Sequence, residues 1–159
     1  MLDQITVHHI YVSDDHNYYG HHGKEPGNNP MIELPKVECE AGKGIIGDRF
    51  HNYKEDYKGQ ITFFSLEVYE DICKTFKLNN VSPSVFRRNI ILSGVNLNSL
   101  INKKFTIQGI DFLGTQEAAP CYWMNGAVAE GAEDAMKGRG GLRAKILTSG
   151  HLHANSSAK

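Results

Sequence analysis

Apolar and polar side chains along this chain recur mostly with a period of two. Lys36 to Ala41 sets Val37, Cys39 and Ala41 on one side and Lys36, Glu38 and Glu40 on the other, the pattern of a half-buried strand. Gln4 to Val12, Gln60 to Phe64, Val85 to Leu92 and Leu142 to Thr148 are rich in β-branched and aromatic residues and predict further strands. Lys104 to Ile107 and Ile110 to Thr115 flank Gln108-Gly109, which predicts a hairpin. At Ser65 the period changes. Leu66, Tyr69, Ile72, Cys73 and Phe76 fall at helical spacing behind a Ser65 N-cap, with Glu67 in the first turn and Asn79-Asn80 as a break. Leu97 to Leu100 predicts one helical turn, and Gly131 to Lys137 a short helix stopped by Gly138.

Two stretches lack either period and predict loops: Ser13 to Pro35, rich in Gly, Pro and Asn, and Gly42 to Lys58. Leu142 to Thr148 is expected to be the last strand, with a frayed polar tail over Asn155 to Lys159. Six or seven short strands with two or three short helices predict a mostly β domain, a β-barrel-like or sandwich core decorated by helices. Strands do not alternate regularly with helices, which argues against a Rossmann-type sheet. A length of 159 residues suits one domain spanning 1–159, and no repeat, low-complexity segment or linker divides it.

Charge narrows the partners. Seventeen Lys and Arg against 18 Asp and Glu leave a net charge of −1, which gives no general attraction to nucleic acid or to an acidic membrane, so neither is an expected partner. An anion would have to be held by a local cluster of basic residues. No stretch approaches the roughly 20 apolar residues that span a bilayer, and Met1 to Val12 lacks the charge-then-apolar order of a signal peptide. The expected compartment is the cytoplasm. Three cysteines, an odd number, are expected to be free thiols.

Those cysteines occupy different settings. Cys39 and Cys73 lie on the apolar sides of a strand and a helix and read as small core residues. Cys121 follows Pro120 where a strand has just ended. Two readings stay open for it: a rim thiol activated by nearby arginines, or a cysteine tucked under Trp123. Basic residues meet flexible backbone in three places: Gly44 to His51 with Arg49, Phe86 to Ile90 with Arg88, and Lys137 to Arg143 with Arg139. An arginine fork suits phosphate or carboxylate, and glycine permits close approach of backbone to a ligand. His16, His21 and His22, with His8 and His9, have irregular spacing and read as a pocket edge or solvated groups rather than a zinc site.

Taken in order, Gly47-Asp48-Arg49, Gln60-Ile61-Thr62, Arg88-Asn89-Ile90 with Gly94, Leu100 with Phe105, Pro120-Cys121 and Arg139-Gly140-Gly141 resemble the MOSC domain, the family named for the C-terminal part of molybdenum cofactor sulfurase. The match runs from about Gly42 to Gly150. The earlier segment Tyr19-Gly20-His21-His22-Gly23-Lys24 resembles short stand-alone bacterial members. The resemblance implies a barrel-like β fold and molybdenum cofactor (molybdopterin) binding. It also implies Cys121 as the functional thiol, carrying sulfur as a persulfide or ligating molybdenum. The cofactor ends in a phosphate, for which Arg49, Arg88 and Arg139 are the candidate cradle, with Asn89 and the Gly140-Gly141 backbone as supporting donors.

The family's pyridoxal-phosphate association does not carry over, because no site for that cofactor is visible in this chain. Three functions follow as alternatives. The first is a cofactor-binding sulfur carrier or transfer module. The second is a molybdenum-dependent reductase of N-hydroxylated compounds in which Asp48 or His51 supplies a proton. The third is a non-catalytic binding or regulatory domain. The first two imply a separate cysteine desulfurase or electron-transfer protein as partner, and the pattern leaves the oligomeric state open.

Overall fold

The computed structural model describes residues 5–13, 31–119, 124–125 and 128–155. Cys121, the His16, His21 and His22 group, the Tyr19 to Lys24 motif and most of the expected tail lie outside these residues. Among the described residues there are ten strands: β1 (Thr6–Val12), β2 (Ile32–Glu33), β3 (Lys36–Glu40), β4 (Gly44–Ile45), β5 (Ile61–Ser65), β6 (Ile90–Ser93), β7 (Lys104–Ile107), β8 (Ile110–Glu117), β9 (Leu142–Ile146) and β10 (Gly150–His153). The helices α1 (Leu66–Thr75) and α2 (Ala132–Ala135) join them.

The strands form a seven-stranded sheet in the order β2-β1-β6-β5-β9-β8-β7 and a three-stranded sheet in the order β10-β3-β4. Mostly β holds as the class, but the expected barrel does not close. Among the described residues β2 and β7 remain at opposite edges of the large sheet, and the small sheet covers one of its faces. The core between the sheets takes Ile10, Phe63, Ile90, Leu142, Ala144 and Ile146 from the large sheet and Val37, Cys39, Ile45 and Leu152 from the small one. A second cluster lies on the other face, where Tyr11, Phe64 and Ile91 meet Ile72, Phe86, Ala132 and Met136.

Local chemistry explains most elements. β5 is buried along its whole length, as a central strand covered on both faces must be. Ser65 ends β5 and caps α1, its hydroxyl accepting from Val68 N at 3.1 Å. Gln108 and Gly109 both take left-handed backbone (φ 52° and 82°), the signature of the tight turn that joins β7 to β8.

Four expectations change. Ile32–Glu33 falls in a predicted loop yet pairs with Tyr11 and Val12, and Gly44–Ile45 in another pairs with Cys39 and Glu40. The predicted strand from Val85 begins instead as a 3₁₀ turn, Pro83–Phe86, because Ser82 caps it and proline presets its first residue. Leu142 to Thr148 is not the last strand, since β10 follows and pairs with β3.

Candidate functional site

β6 and β9 both begin beside Phe63, on either side of β5. The segments leading into them carry Arg88 and Gly140-Gly141, and β8 ends next to Leu142 at Glu117. Arg88 reaches from the β6 side of β5 to the β8–β9 side. Its Nε donates to Gly140 O (3.1 Å), its Nη2 to Ala118 O (3.0 Å) and its Nη1 to Phe86 O (3.2 Å). Gly140 N donates to Glu117 Oε2 at 3.2 Å, and Ala118 N to Gly141 O at 2.9 Å. Arg88 and Glu117 thus clasp the glycine loop against the end of β8, four residues before Cys121 in the sequence. Gly141 is required here: its φ is +117°, and an added Cβ would lie 2.5 Å from Phe63 O and 3.3 Å from Arg88 Nε.

The preceding residue, Arg87, takes left-handed backbone (φ 56°), unusual for a residue with a long side chain. That turn separates the neighbouring arginines. Arg87 is buried and its Nη2 donates to Ser13 Oγ at 3.1 Å, while Arg88 goes to the glycine loop. Arg49 closes the group from the other side, its Nη2 donating to Arg87 O (3.1 Å) and its Nη1 to Asp48 Oδ1 (3.1 Å). The Asp48 side chain is wholly enclosed and also accepts from Ser13 N (3.0 Å) and Phe50 N (3.2 Å). These bonds make Asp48 an anchor for Arg49 and the loop behind it.

Asn89 is fully buried at the centre of this framework. Its Oδ1 accepts from Thr62 N at 3.0 Å, its Nδ2 donates to Tyr11 O at 3.1 Å, and its backbone N donates to Thr62 Oγ1 at 2.9 Å. The side chain fixes β1, β5 and β6 in register. Arg49, Arg88, Asn89, Gly140 and Gly141 therefore belong to one connected region. Arg139 goes elsewhere: its Nε donates to Ala135 O at 2.9 Å and its Nη1 pairs with Asp71 of α1 at 2.8 Å. Glu117 and Tyr57 were not picked out from sequence. A lone acid before Ala-Ala and a tyrosine in a charged loop carry no local signal, and only the fold brings them to this region.

The remaining candidates have ordinary partners. His8 Nε2 hydrogen-bonds with Ser93 Oγ, His9 Nδ1 with Glu33 Oε2 and His51 Nε2 with Glu40 Oε1, each at 2.7 Å. Among the described residues no group of three or more His, Cys, Asp or Glu is placed to hold a metal ion. Cys39 is buried, and loss of solvation, with the charge of Glu38 in second place, pushes its thiol up to about 12. Cys73 lies half-buried on α1 and, like Cys39, is a free thiol. Among the described residues no helix is long and apolar enough to cross a membrane.

Two sheets packed face to face, with an arginine- and glycine-built joint where β6 and β9 both begin beside Phe63, describe a small mostly β domain. The sequence model of the MOSC domain matches residues 20–157, so the chain belongs to the MOSC domain family. Among solved structures it is similar to the YuaD protein from Bacillus subtilis, with a TM-score of 0.73 and 16% identity over 94% of this chain and 91% of that one. YiiM from Geobacillus stearothermophilus gives a TM-score of 0.67 and 12% identity over 94% of this chain and 71% of that one. For YiiM from Escherichia coli the values are 0.61 and 18%, over 92% and 66%. At such identities the likeness concerns the fold. Comparison with curated proteins gives no significant match.

Proposed function

We propose that this chain is a molybdenum-cofactor-binding MOSC domain in which Cys121 carries sulfur as a persulfide or ligates the metal. The observation that carries this reading is the Arg88 clasp, which ties a glycine loop to the strand end that runs into Pro120-Cys121. The family is associated with molybdenum cofactor, and the residues present fit a phosphorylated ligand. Arg49, Arg87 and Arg88 gather in one region with the carboxylates Asp48 and Glu117. A planar arginine fork suits the oxygens of a phosphate.

Arg88 would hold the Gly140-Gly141 loop, and Arg49 the loop of Asp48, in place at the phosphate end of the ligand. Asn89 keeps that backbone in register, and Asp48 holds Arg49 in place. When bound, the cofactor supplies a thiophilic, redox-active metal. Cys121 supplies a soft thiolate. A persulfide on Cys121 requires sulfur from a separate donor such as a cysteine desulfurase, whereas metal ligation in a reductase requires an electron-transfer protein.

The test is molybdenum and pterin analysis of protein made in a host that synthesises the cofactor, beside Cys121→Ala. Molybdenum near one per chain, lost in the variant, is the expected result for ligation. Pterin that persists without metal, together with a persulfide adduct on Cys121, selects the carrier role. Absence of both molybdenum and pterin from the unaltered protein would overturn cofactor binding.

A further inference from the structure

One row of the helix-side face of the large sheet is polar. Thr62 on β5 pairs with Arg143 on β9, and Arg143 pairs in turn with Gln116 on β8. Alternation along β9 buries Leu142, Ala144 and Ile146 between the sheets and sends Arg143 and Lys145 to the opposite face. Lys145 is neutralised there by Asp56, at 2.8 Å. Arg143 is not: among the described residues its guanidinium has neither a hydrogen-bond nor an ion-pair partner, although the residue is partly buried. Its nitrogens keep access to solvent, so the fork is open to an incoming anion.

Tyr57 stands beside it. A methyl group at Gly59 would meet Tyr57 Cε2 at 3.3 Å, Tyr57 Cζ at 3.5 Å and Arg143 Cδ at 3.4 Å, so the phenol ring and the arginine stem line the same gap. Burial raises the Tyr57 pKa, and the charges of Arg143 and then Arg49 oppose that rise, which sets the phenol within the field of both guanidinium groups. Arg49 also lies over the Phe50 ring, 4.7 Å from its centroid, and Phe50 stacks on Tyr57 at 5.5 Å. The loop is tied down on this face, since the Thr115 hydroxyl donates to Lys58 O at 2.7 Å and Asp56 pairs with Lys145.

We propose that Arg143 and the Tyr57 hydroxyl form an anion subsite for a phosphate or phosphomonoester, with Arg49 on its far flank. A guanidinium fork beside a phenol O–H offers several donors to one tetrahedral anion. This deepens the cofactor reading and rests on it for the identity of the ligand. Within the segment Lys137 to Arg143 it shifts anion binding from Arg139, committed to Asp71 and Ala135 O, to the arginine four residues on.

The direct test is titration of inorganic phosphate into cofactor-free protein by calorimetry, using the unaltered chain, Arg143→Gln, Arg143→Lys, Tyr57→Phe and Arg139→Gln. Phosphate should bind the unaltered chain and Arg139→Gln alike. Binding should weaken roughly tenfold or more in Arg143→Gln and less in Tyr57→Phe, consistent with loss of a charge-assisted contact. Arg143→Lys preserves the stem and the charge, so intermediate affinity there separates anion binding from misfolding. Phosphate affinity unchanged in Arg143→Gln, or lost in Arg139→Gln instead, would overturn the assignment, as would no binding to the unaltered chain.

A second arm distinguishes the sources of the anion. Pterin depleted from Arg143→Gln made in a cofactor-producing host identifies the ligand as the cofactor's phosphate, whereas full pterin content with lost phosphate affinity identifies a separate phosphorylated ligand. Arg143-dependent phosphate binding in a protein that never acquires molybdenum or pterin keeps the subsite and removes the cofactor reading. Normal cofactor content with Arg143-independent phosphate binding does the reverse.

Discussion

Arg88 and Glu117 grip one peptide group from both sides: Arg88 Nε donates to the carbonyl of Gly140 at 3.1 Å while the N–H of Gly140 donates to Glu117 Oε2 at 3.2 Å. The two side chains come from segments on opposite sides of β5 and meet at that glycine. Truncating Arg88 to Ala strands the carbonyls of Phe86, Ala118 and Gly140. The expected loss is about 2–4 kcal/mol in urea unfolding. Arg88→Lys should recover only part of it, because an ammonium group cannot reproduce the fork. Full recovery by Lys would mean that charge, not geometry, holds the joint.

Gly141→Ala should be as damaging for a different reason. The backbone there sits at φ +117°, and the new methyl group would fall 2.5 Å from Phe63 O. Strain and overlap together should remove roughly 2–4 kcal/mol. A melting temperature equal to that of the unaltered protein would show that the glycine loop moves freely and does not fix the start of β9.

Asp48→Asn removes the carboxylate enclosed against Arg49 while keeping its shape. The pair has side chains exposed by only 0% and 7%, so solvent screens it little. Loss of about 3 kcal/mol is expected. The Arg49 guanidinium should also become more mobile, which side-chain NMR of labelled arginine would report.

The Cys39 thiol should resist iodoacetamide at pH 8 in the folded protein and react when guanidinium unfolds the chain. Its pKa is raised to about 12, first by burial and then by Glu38, so unfolding at alkaline pH releases a proton. The contribution of this group to stability therefore falls as pH rises from the ordinary cysteine range toward about 12. Peptide mapping by mass keeps Cys39 apart from Cys73 and Cys121. Rapid labelling of Cys39 in the native state would contradict its burial.

Glu67 gives an acid-side dependence of opposite sign. Burial pushes its carboxyl upward, but hydrogen bonds from Gly94 N, from its own backbone N–H and from the Ser65 hydroxyl, together with the charge of His8, leave the pKa below its ordinary value. A lowered folded-state pKa stabilises the protein at neutral pH, and that contribution is lost as pH falls through it. Glu67→Gln should flatten the acid limb of the stability curve. An unchanged limb would mean that the Gly94 contact is not kept in solution.

Much of the fold was legible because its signals are local. Val37 and Cys39 alternate with charged residues, Ser65 caps the helix it precedes, and Gln108-Gly109 make the turn their sequence predicts. What escaped depends on partners distant in the chain. Gly150–His153 carries no strand signal because only Leu152 turns into the core, and its partner Val37 lies far upstream. The apolar run from Val85 looked like continuous strand, although Pro83 and the left-handed Arg87 bend its start.

The site divides in the same way. Arg49, Arg88, Asn89 and the two glycines gather as one region, but sequence proximity to glycine favoured Arg139, which the fold turns toward Asp71. The alternation of buried and partly buried residues along Leu142 to Ile146 would have singled out Arg143 as the residue on the polar sheet face.

The placement of β9 and β10 also sets a timetable for synthesis. β9 lies between β5 and β8 in the middle of the large sheet, and β10 flanks β3 in the small one. While the nascent chain is still short of residue 142, β5 and β8 have no strand to bridge them, and the inner faces of both sheets lack part of their cover. Long-range pairings of this kind are slow to form and expose strand edges meanwhile. A ribosome that stalls within the last strands would therefore present apolar β-edges to solvent, and release of a domain without β10 should make it a client of chaperones rather than a functional fragment.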